Sequence, residues 1–313
     1  MQTTDKILIT GATGLLGSSI VSELHRQGYS NLLTPTHKEL DLLKSDTVTD
    51  WFQNNKPEYV FHLASLVYGL KGNLDNQHKS IHQNTQMNLN ILDACINYSI
   101  RKVFFAGTVA SYPFPYPSLP LKEEFFLDGE PHAGEYGYAT AKRHALAYLK
   151  ILKETKGLDY CYGIFTNMYG INDKYDVDGG HVVPALIKKA LDTMKTDEKV
   201  LKVWGNKNTT RDFLNSKDAA HAAILSMQSY SGYINIASGE SVSIELIVKT
   251  INEFFDNKLS IVWDKDAPIG VPERSVSVEK LKELGFNKDI SLKEGIFEAI
   301  NWAKNSYNNL RVK

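Results

Sequence analysis

At 313 residues the chain is long enough for one large domain, or for a large domain with a smaller partner. Its 42% hydrophobic and 23% charged residues mark an ordinary globular protein, and a net charge of −1 gives no electrostatic basis for binding nucleic acid or an anionic membrane. No apolar run approaches the roughly 20 residues of a membrane span, and the N-terminus lacks a signal-peptide pattern. A cytoplasmic protein is therefore expected, with no metal site and with Cys95 and Cys161 as two small buried side chains.

Along the chain, Lys6–Thr10 reads as a buried strand, Leu15–Gln27 as a helix, Leu32–Thr34 as a second strand and Asp46–Asn54 as a helix. Tyr59–Ala64 follows as a strand, then Thr85–Tyr98 as a helix, Lys102–Ala106 as a strand, Tyr136–Thr155 as a long helix and Tyr160–Phe165 as a strand. Strict alternation, with strands apolar throughout, predicts an α/β Rossmann-type doubly wound parallel sheet covered on both faces. After about Asn167 the pattern loosens. A Gly/Asp loop leads to a helix from about Val183, "KVLKVWG" and "GYINIAS" read as strands, and Ser243–Phe255 is amphipathic. "WDKDAPIGVPERS" reads as a Pro-rich loop and "SLKEGIFEAINWAKNSY" as a closing helix. Residues 1–166, with a later contribution near 210–237, are expected to form the dinucleotide-binding domain, and 167–313 mainly a smaller, interleaved α/β substrate domain.

"LITGATGLLGSS" places Gly11, Gly14 and Gly17 directly between the first strand and the first helix. Glycines there permit the tight turn and let the backbone approach a pyrophosphate, whose charge the helix N-terminus favours. The second strand leads into "TPTHKELDLL", which offers Thr36, His37 and Lys38 and no acid at its tip. An acid there would favour NAD and a base NADP, so the local signal leaves both cofactors open.

Tyr138 and Lys142, four apart in "EYGYATAKRHALAYLK", share one helical face. Hydride transfer at a carbinol or carbonyl carbon needs an acid/base for the oxygen. A phenol titrates near ~10, and a neighbouring ammonium is expected to lower it toward the working range. Tyr136 lacks such a partner, because Thr140 stands four residues beyond it. The turn "AGTVASYP" adds only the aliphatic hydroxyls of Thr108 and Ser111 ahead of Tyr112, and no carboxylate, cysteine or histidine.

Taken together, "TGATGLLGS", "VFHLAS", "AGTVASYP", "YGYATAKR", "FTNMYG" and "HVVPAL" resemble the extended short-chain dehydrogenase/reductase family, in its GDP-L-fucose synthase-like branch, over nearly the whole chain. The resemblance implies an NAD(P)-binding Rossmann domain, a GDP-sugar substrate held by the smaller domain, and a homodimer through the helices around Thr85–Tyr98 and Tyr136–Thr155. It makes Tyr138 the acid/base, Lys142 its electrostatic and ribose-binding partner, and Thr108 the group that hydrogen-bonds the reacting oxygen. It puts the cofactor on Gly11, Thr13, Gly14, Leu15, Leu16, His37, Asp41, Leu42, Leu63, Ala64, Tyr138 and Lys142. Asn167, His181 and Val182 would face the nucleotide sugar, with Arg211 and Arg274 as cations for its diphosphate.

The departures sharpen this reading. Fucose synthases carry a cysteine in the turn after the fourth strand, which works with a histidine to epimerise C3 and C5; here that position is Ala110, while His181 remains. Dehydratases of the family carry Asp-Glu after the threonine; here the residues are Val109 and Ala110. Fucose synthases also place arginines for NADPH where Thr13 and His37 stand, which favours NAD with NADP second. The expected function is an NAD(H)-dependent oxidoreductase at C4 of a GDP-linked hexose or heptose, without C3/C5 epimerisation. Dehydrogenation is placed slightly ahead of 4-keto reduction, because cellular NAD is usually oxidised. A nucleotide-sugar 4-epimerase and a non-catalytic dinucleotide sensor are the alternatives.

Overall fold

In the computed structural model, residues 1–177, 179–264 and 271–311 are described. The first half builds β1 (Ile7–Thr10), α1 (Leu15–Arg26), β2 (Leu32–Leu33), α2 (Ser45–Asn55), β3 (Tyr59–His62), α3 (Leu70–Asp75), α4 (Gln77–Asn97), β4 (Lys102–Thr108), α5 (Tyr136–Lys156) and β5 (Asp159–Phe165). The second half adds β6 (Asn167–Tyr169), α6 (Val182–Thr193), β7 (Val200–Trp204), β8 (Thr210–Asn215), α7 (Ser216–Ser229), β9 (Gly232–Ile236), β10 (Ser241–Ser243), α8 (Ile244–Phe254), β11 (Ser260–Asp264), β12 (Glu273–Arg274), α9 (Glu279–Glu283) and α10 (Leu292–Asn305).

Six strands form one parallel sheet in the order β2-β1-β3-β4-β5-β9. The chain starts in the middle at β1, winds outward to β2, then crosses back over β1 to β3. The ends of β1 and β3 therefore flank a topological switch point, where ligands bind in such sheets. Both faces are covered, which is why Ile7, Leu8, Ile9, Val60, Phe61, Val103, Phe104 and Phe105 are all fully buried in consecutive runs. A second apolar cluster, centred on α6, α8 and α10, is separate from the first. It lies against β8, which pairs with β6, β10 and β12, and against the parallel pair β7 and β11.

Among the differences from expectation, three bear on how the site is placed. Helix α4 begins at Gln77 rather than Thr85, because its buried face carries Ser80, Asn84 and Asn88 and so lacks an apolar period. The segment read as a Pro-rich loop holds the end of β11 and the short β12; its residues 265–270 lie outside the described residues. Of the stretch 210–237, α7 and β9 return to the large sheet, whereas β8 is the middle of the smaller one.

Gly107, in β4 just before the candidate catalytic turn, is required by its neighbour. A Cβ there would stand 2.1 Å from Cε1 of Tyr162, whose ring is buried and stacked on Phe105 at 5.2 Å. Gly107→Ala is expected to cost about 1–3 kcal/mol through overpacking, read as a lower urea midpoint. A midpoint equal to wild type would show that the Tyr162 ring moves aside freely.

Candidate active site

The glycine loop joins β1 to α1 at the switch point. Gly11 has φ +72°, and a Cβ there would meet Ala64 N at 2.9 Å; a Cβ on Gly17 would lie 2.1 Å from the Gly11 carbonyl. These two glycines let the loop fold onto itself and onto the end of β3. Gly14 is different: an added Cβ would meet only Gly11 O, at 3.2 Å, so its face of the loop is open. Helix α1 starts there with no side-chain cap and no acidic residue in its first turn. Its first N–H groups and the positive end of its dipole thus face an approachable backbone, which fits a dinucleotide pyrophosphate. Thr13, Gly14, Leu15 and Leu16 all belong to this loop and first turn.

The rest of the expected cofactor site is less uniform. Leu63 and Ala64 are held beside the loop, their N–H groups donating to Thr10 Oγ1 at 3.2 Å each. His37 and Lys38 are exposed beyond β2. The Asp41 carboxylate accepts from Leu43 N at 3.1 Å and pairs with Lys44 at 3.5 Å, so it already serves its own turn. Leu42 is buried, and its carbonyl accepts from Asn90 Nδ2 at 2.8 Å.

Thr108 ends β4, and its Oγ1 accepts from Ala110 N at 3.2 Å, capping the 3₁₀ turn Val109–Ser111. The hydroxyl proton remains free to point outward. Tyr138 lies in the first turn of α5, with Lys142 one turn further on. The Lys142 ammonium is 1% exposed, donates to Ala106 O at 2.7 Å, and stands 4.8 Å from the Phe105 ring centroid and 5.6 Å from that of Tyr138. Burial pushes Lys142 down to about 7. Burial also pushes the Tyr138 phenol up to about 12, against a smaller opposing effect of a hydrogen bond with Ser65. This corrects the expectation of a lowered phenol. Without a bound ligand, burial dominates and the phenol keeps its proton at neutral pH.

Reading the sequence missed the polar groups behind this pair. Ser65 Oγ donates to Asn84 Oδ1 at 2.8 Å, which also accepts from Leu66 N at 2.8 Å. Below them, Thr10 Oγ1 and His62 Nδ1 are 2.9 Å apart, and His62 Nε2 and Asn88 Oδ1 are 3.1 Å apart. Because Thr10 Oγ1 already accepts two N–H groups, its hydroxyl donates to Nδ1, and His62 carries its proton on Nε2 for Asn88. Burial first, then the Lys142 charge, pushes His62 down to about 3, so it stays neutral. Asn88 Nδ2 reaches Ala141 O at 3.4 Å, linking the end of β1 to the helix that carries Tyr138. The three asparagines and one serine buried on α4, without an apolar period, were the available signal.

On the substrate side, the exposed His181 precedes α6, with Nδ1 3.4 Å from Asp173 Oδ1. Burial opposes its imidazolium, but Asp173 outweighs it and raises the histidine above its ordinary value. Val182 is exposed beside it, and Asn167 Nδ2 donates to Asp212 O at 3.2 Å. Arg211 and Arg274 are register partners on β8 and β12. Their situations differ. Arg274 is buried, pairs with Glu135 at 2.8 Å and donates from Nε to Tyr116 at 2.7 Å, so its charge is neutralised within the protein. Arg211 donates to the carbonyls of Thr210 and Val271 and has no carboxylate partner among the described residues. Burial and the nearby Arg274 charge push it down to about 10. It is the uncompensated cation of the pair. Among the described residues, no cluster of metal-ligating side chains is present, and no helix is long and apolar enough to cross a membrane.

Residues 7–237, spanning the whole six-stranded sheet, match the NAD dependent epimerase/dehydratase family. The chain belongs to this family. It is thus an extended short-chain dehydrogenase/reductase, an enzyme that uses a nicotinamide dinucleotide, as the resemblance implied. GDP-L-fucose synthase 1 of Arabidopsis thaliana is 32% identical over 301 residues, covering 95% of this chain and 92% of that protein. Among solved structures, a GDP-6-OMe-4-keto-L-xylo-heptose reductase from C. jejuni superposes with a TM-score of 0.91 at 26% identity, covering 98% and 99% of the two chains. A GDP-mannoheptose C4 reductase from Campylobacter jejuni with NADP bound gives 0.87 at 27% identity, covering 97% and 99%.

The buried lysine makes a pH prediction. Its ordinary value of 10.5 applies to the unfolded chain and about 7 to the folded one, so between these values the unfolded chain binds a proton that the folded chain lacks. The cost of burying Lys142 is full below pH 7 and fades as pH rises toward 10.5. The stability of wild type minus that of Lys142→Met is therefore expected to climb from neutral to alkaline pH in urea titrations. A flat difference over that range would contradict a neutral buried lysine.

Proposed function

We propose that this chain is a C4 reductase of a GDP-linked 4-keto hexose or heptose that leaves C3 and C5 unchanged. The carrying observation is the Tyr138/Lys142 pair on α5, with Lys142 bonded to β4 just before that strand ends in the Thr108 hydroxyl and a turn, Val109–Ser111, that has no acid, thiol or imidazole. When bound, the nicotinamide supplies the hydride that C4 receives. Tyr138 gives its phenolic proton to the C4 oxygen, and the Thr108 hydroxyl donates a hydrogen bond to that oxygen. Lys142, one helical turn away, stabilises the phenolate left behind. The reductive direction replaces the slight preference for oxidation drawn from the cofactor, and a protonated phenol suits it. The 4-keto and C4 reductases among the structural relatives support the same direction.

Abstracting a proton alpha to the ketone, and returning one to the opposite face, takes two groups. Ala110 supplies neither, and His181 alone is assigned to holding a sugar hydroxyl with Asp173 behind it. Asn167 and Val182 would line the nucleotide sugar, and Arg211 would meet its diphosphate; Arg274 is left as its ion-paired neighbour. The GDP moiety follows from the named substrates of the relatives. The same reading includes a cytoplasmic homodimer meeting on α4 and α5, whose outer faces share a cavity of about 410 Å³ lined by His78, His82, Leu89 and His144.

The test is incubation with a GDP-linked 4-keto sugar and NADPH or NADH in deuterated water. A two-dalton gain with no deuterium at C3 or C5 is expected, and Tyr138→Phe is expected to lower kcat at least about 10²-fold. Carbon-bound deuterium at C3 or C5 would overturn the claim about Ala110. Full activity in Tyr138→Phe would overturn the assigned acid.

A further inference from the structure

One cation is held against the glycine loop by a distant part of the chain. Residues 170–176 follow β6 and pack on the start of α1, where Asn172 Nδ2 donates to Ser18 Oγ at 3.2 Å. The same segment captures the chain beyond α10: Tyr175 N donates to Arg311 O at 2.7 Å, and Lys174 and Arg311 form an isolated parallel bridge. Tyr175 is itself fully buried, its hydroxyl donating to the carbonyls of Gly170 and Ala299 and its ring lying against Trp302. These contacts fix the backbone of residue 311. Its side chain is exposed and turned onto the loop, with Nη1 3.4 Å from the Thr13 carbonyl.

A guanidinium has five N–H donors, and this long contact leaves most of them unused. No carboxylate pairs with Arg311 among the described residues. The loop it touches presents backbone N–H groups and a helix N-terminus to an anion, yet carries no charged side chain of its own from Gly11 to Ser19. A cation anchored by backbone contacts at that loop complements a phosphate with little further ordering.

We propose that Arg311 is a cofactor-phosphate ligand, closing the glycine loop from outside and holding either the pyrophosphate or a 2′-phosphate of the nicotinamide dinucleotide. The proposal rests on the glycine loop being the cofactor site. Isothermal titration of wild type, Arg311→Gln and Arg311→Ala with NADH, NADPH, ADP and 2′,5′-ADP tests it. A loss of about tenfold or more for all four nucleotides supports a pyrophosphate contact, and the same loss confined to NADPH and 2′,5′-ADP supports a 2′-phosphate contact. Arg311→Lys, which keeps the charge, is expected to recover part of the affinity in either case. Thermal unfolding without ligand checks the fold, and an unchanged Tm is expected because residue 311 is held by its backbone. Affinities within about twofold of wild type for all four would overturn the role of Arg311 alone. Binding of none of them by wild type would overturn the cofactor reading with it.

Discussion

The candidate catalytic cluster is organised around the burial of one ammonium. Lys142 comes down from α5 onto the edge of β4, where the Ala106 carbonyl is its hydrogen-bond acceptor and the Phe105 ring its floor. That bond ties α5 to the end of β4, the strand on which Thr108 stands. A cation so enclosed is costly, and the protein meets the cost with a carbonyl dipole and an aromatic face rather than a carboxylate. A carboxylate would have locked the lysine in its charged form and left it little influence over the phenol.

The uncharged network beneath serves the same end. Thr10, His62 and Asn88 tie the last residue of β1 to the Ala141 carbonyl with neutral hydrogen bonds only. Had His62 been protonated, a second cation would lie within reach of Lys142; burial and that repulsion together keep it neutral. The cofactor loop and the catalytic helix are thereby held in one rigid unit without adding charge to the site. The substrate side follows the opposite rule. There, one of two adjacent arginines is matched by Glu135 and the other is left unmatched, which concentrates positive charge where an anionic ligand would supply the missing partner.

Much of the architecture was legible because its signals are local. The glycine spacing, the apolar strands and the Tyr138/Lys142 interval each express a constraint within one or two turns of chain. Helix α4 was read short because its buried face is made of serine and asparagine, residues that satisfy one another only through tertiary partners. Strand β12 escaped notice for a related reason: its two residues pair with β8, more than sixty positions earlier.

The chain by itself specified the parallel sheet and offered the glycine loop and the Tyr138/Lys142 interval, since these follow from residue type at short spacing. Only the tertiary structure decided their electrostatics. Whether Lys142 lowers the phenol or is itself discharged depends on how completely the sheet and α5 exclude water, and no local pattern reports that. Arg211, the first candidate cation in the sequence, and Arg274, the second, differ in the fold because Glu135 reaches Arg274 alone. Arg311 stands out only in the fold, where the packing of Tyr175 on α10 brings it to Thr13.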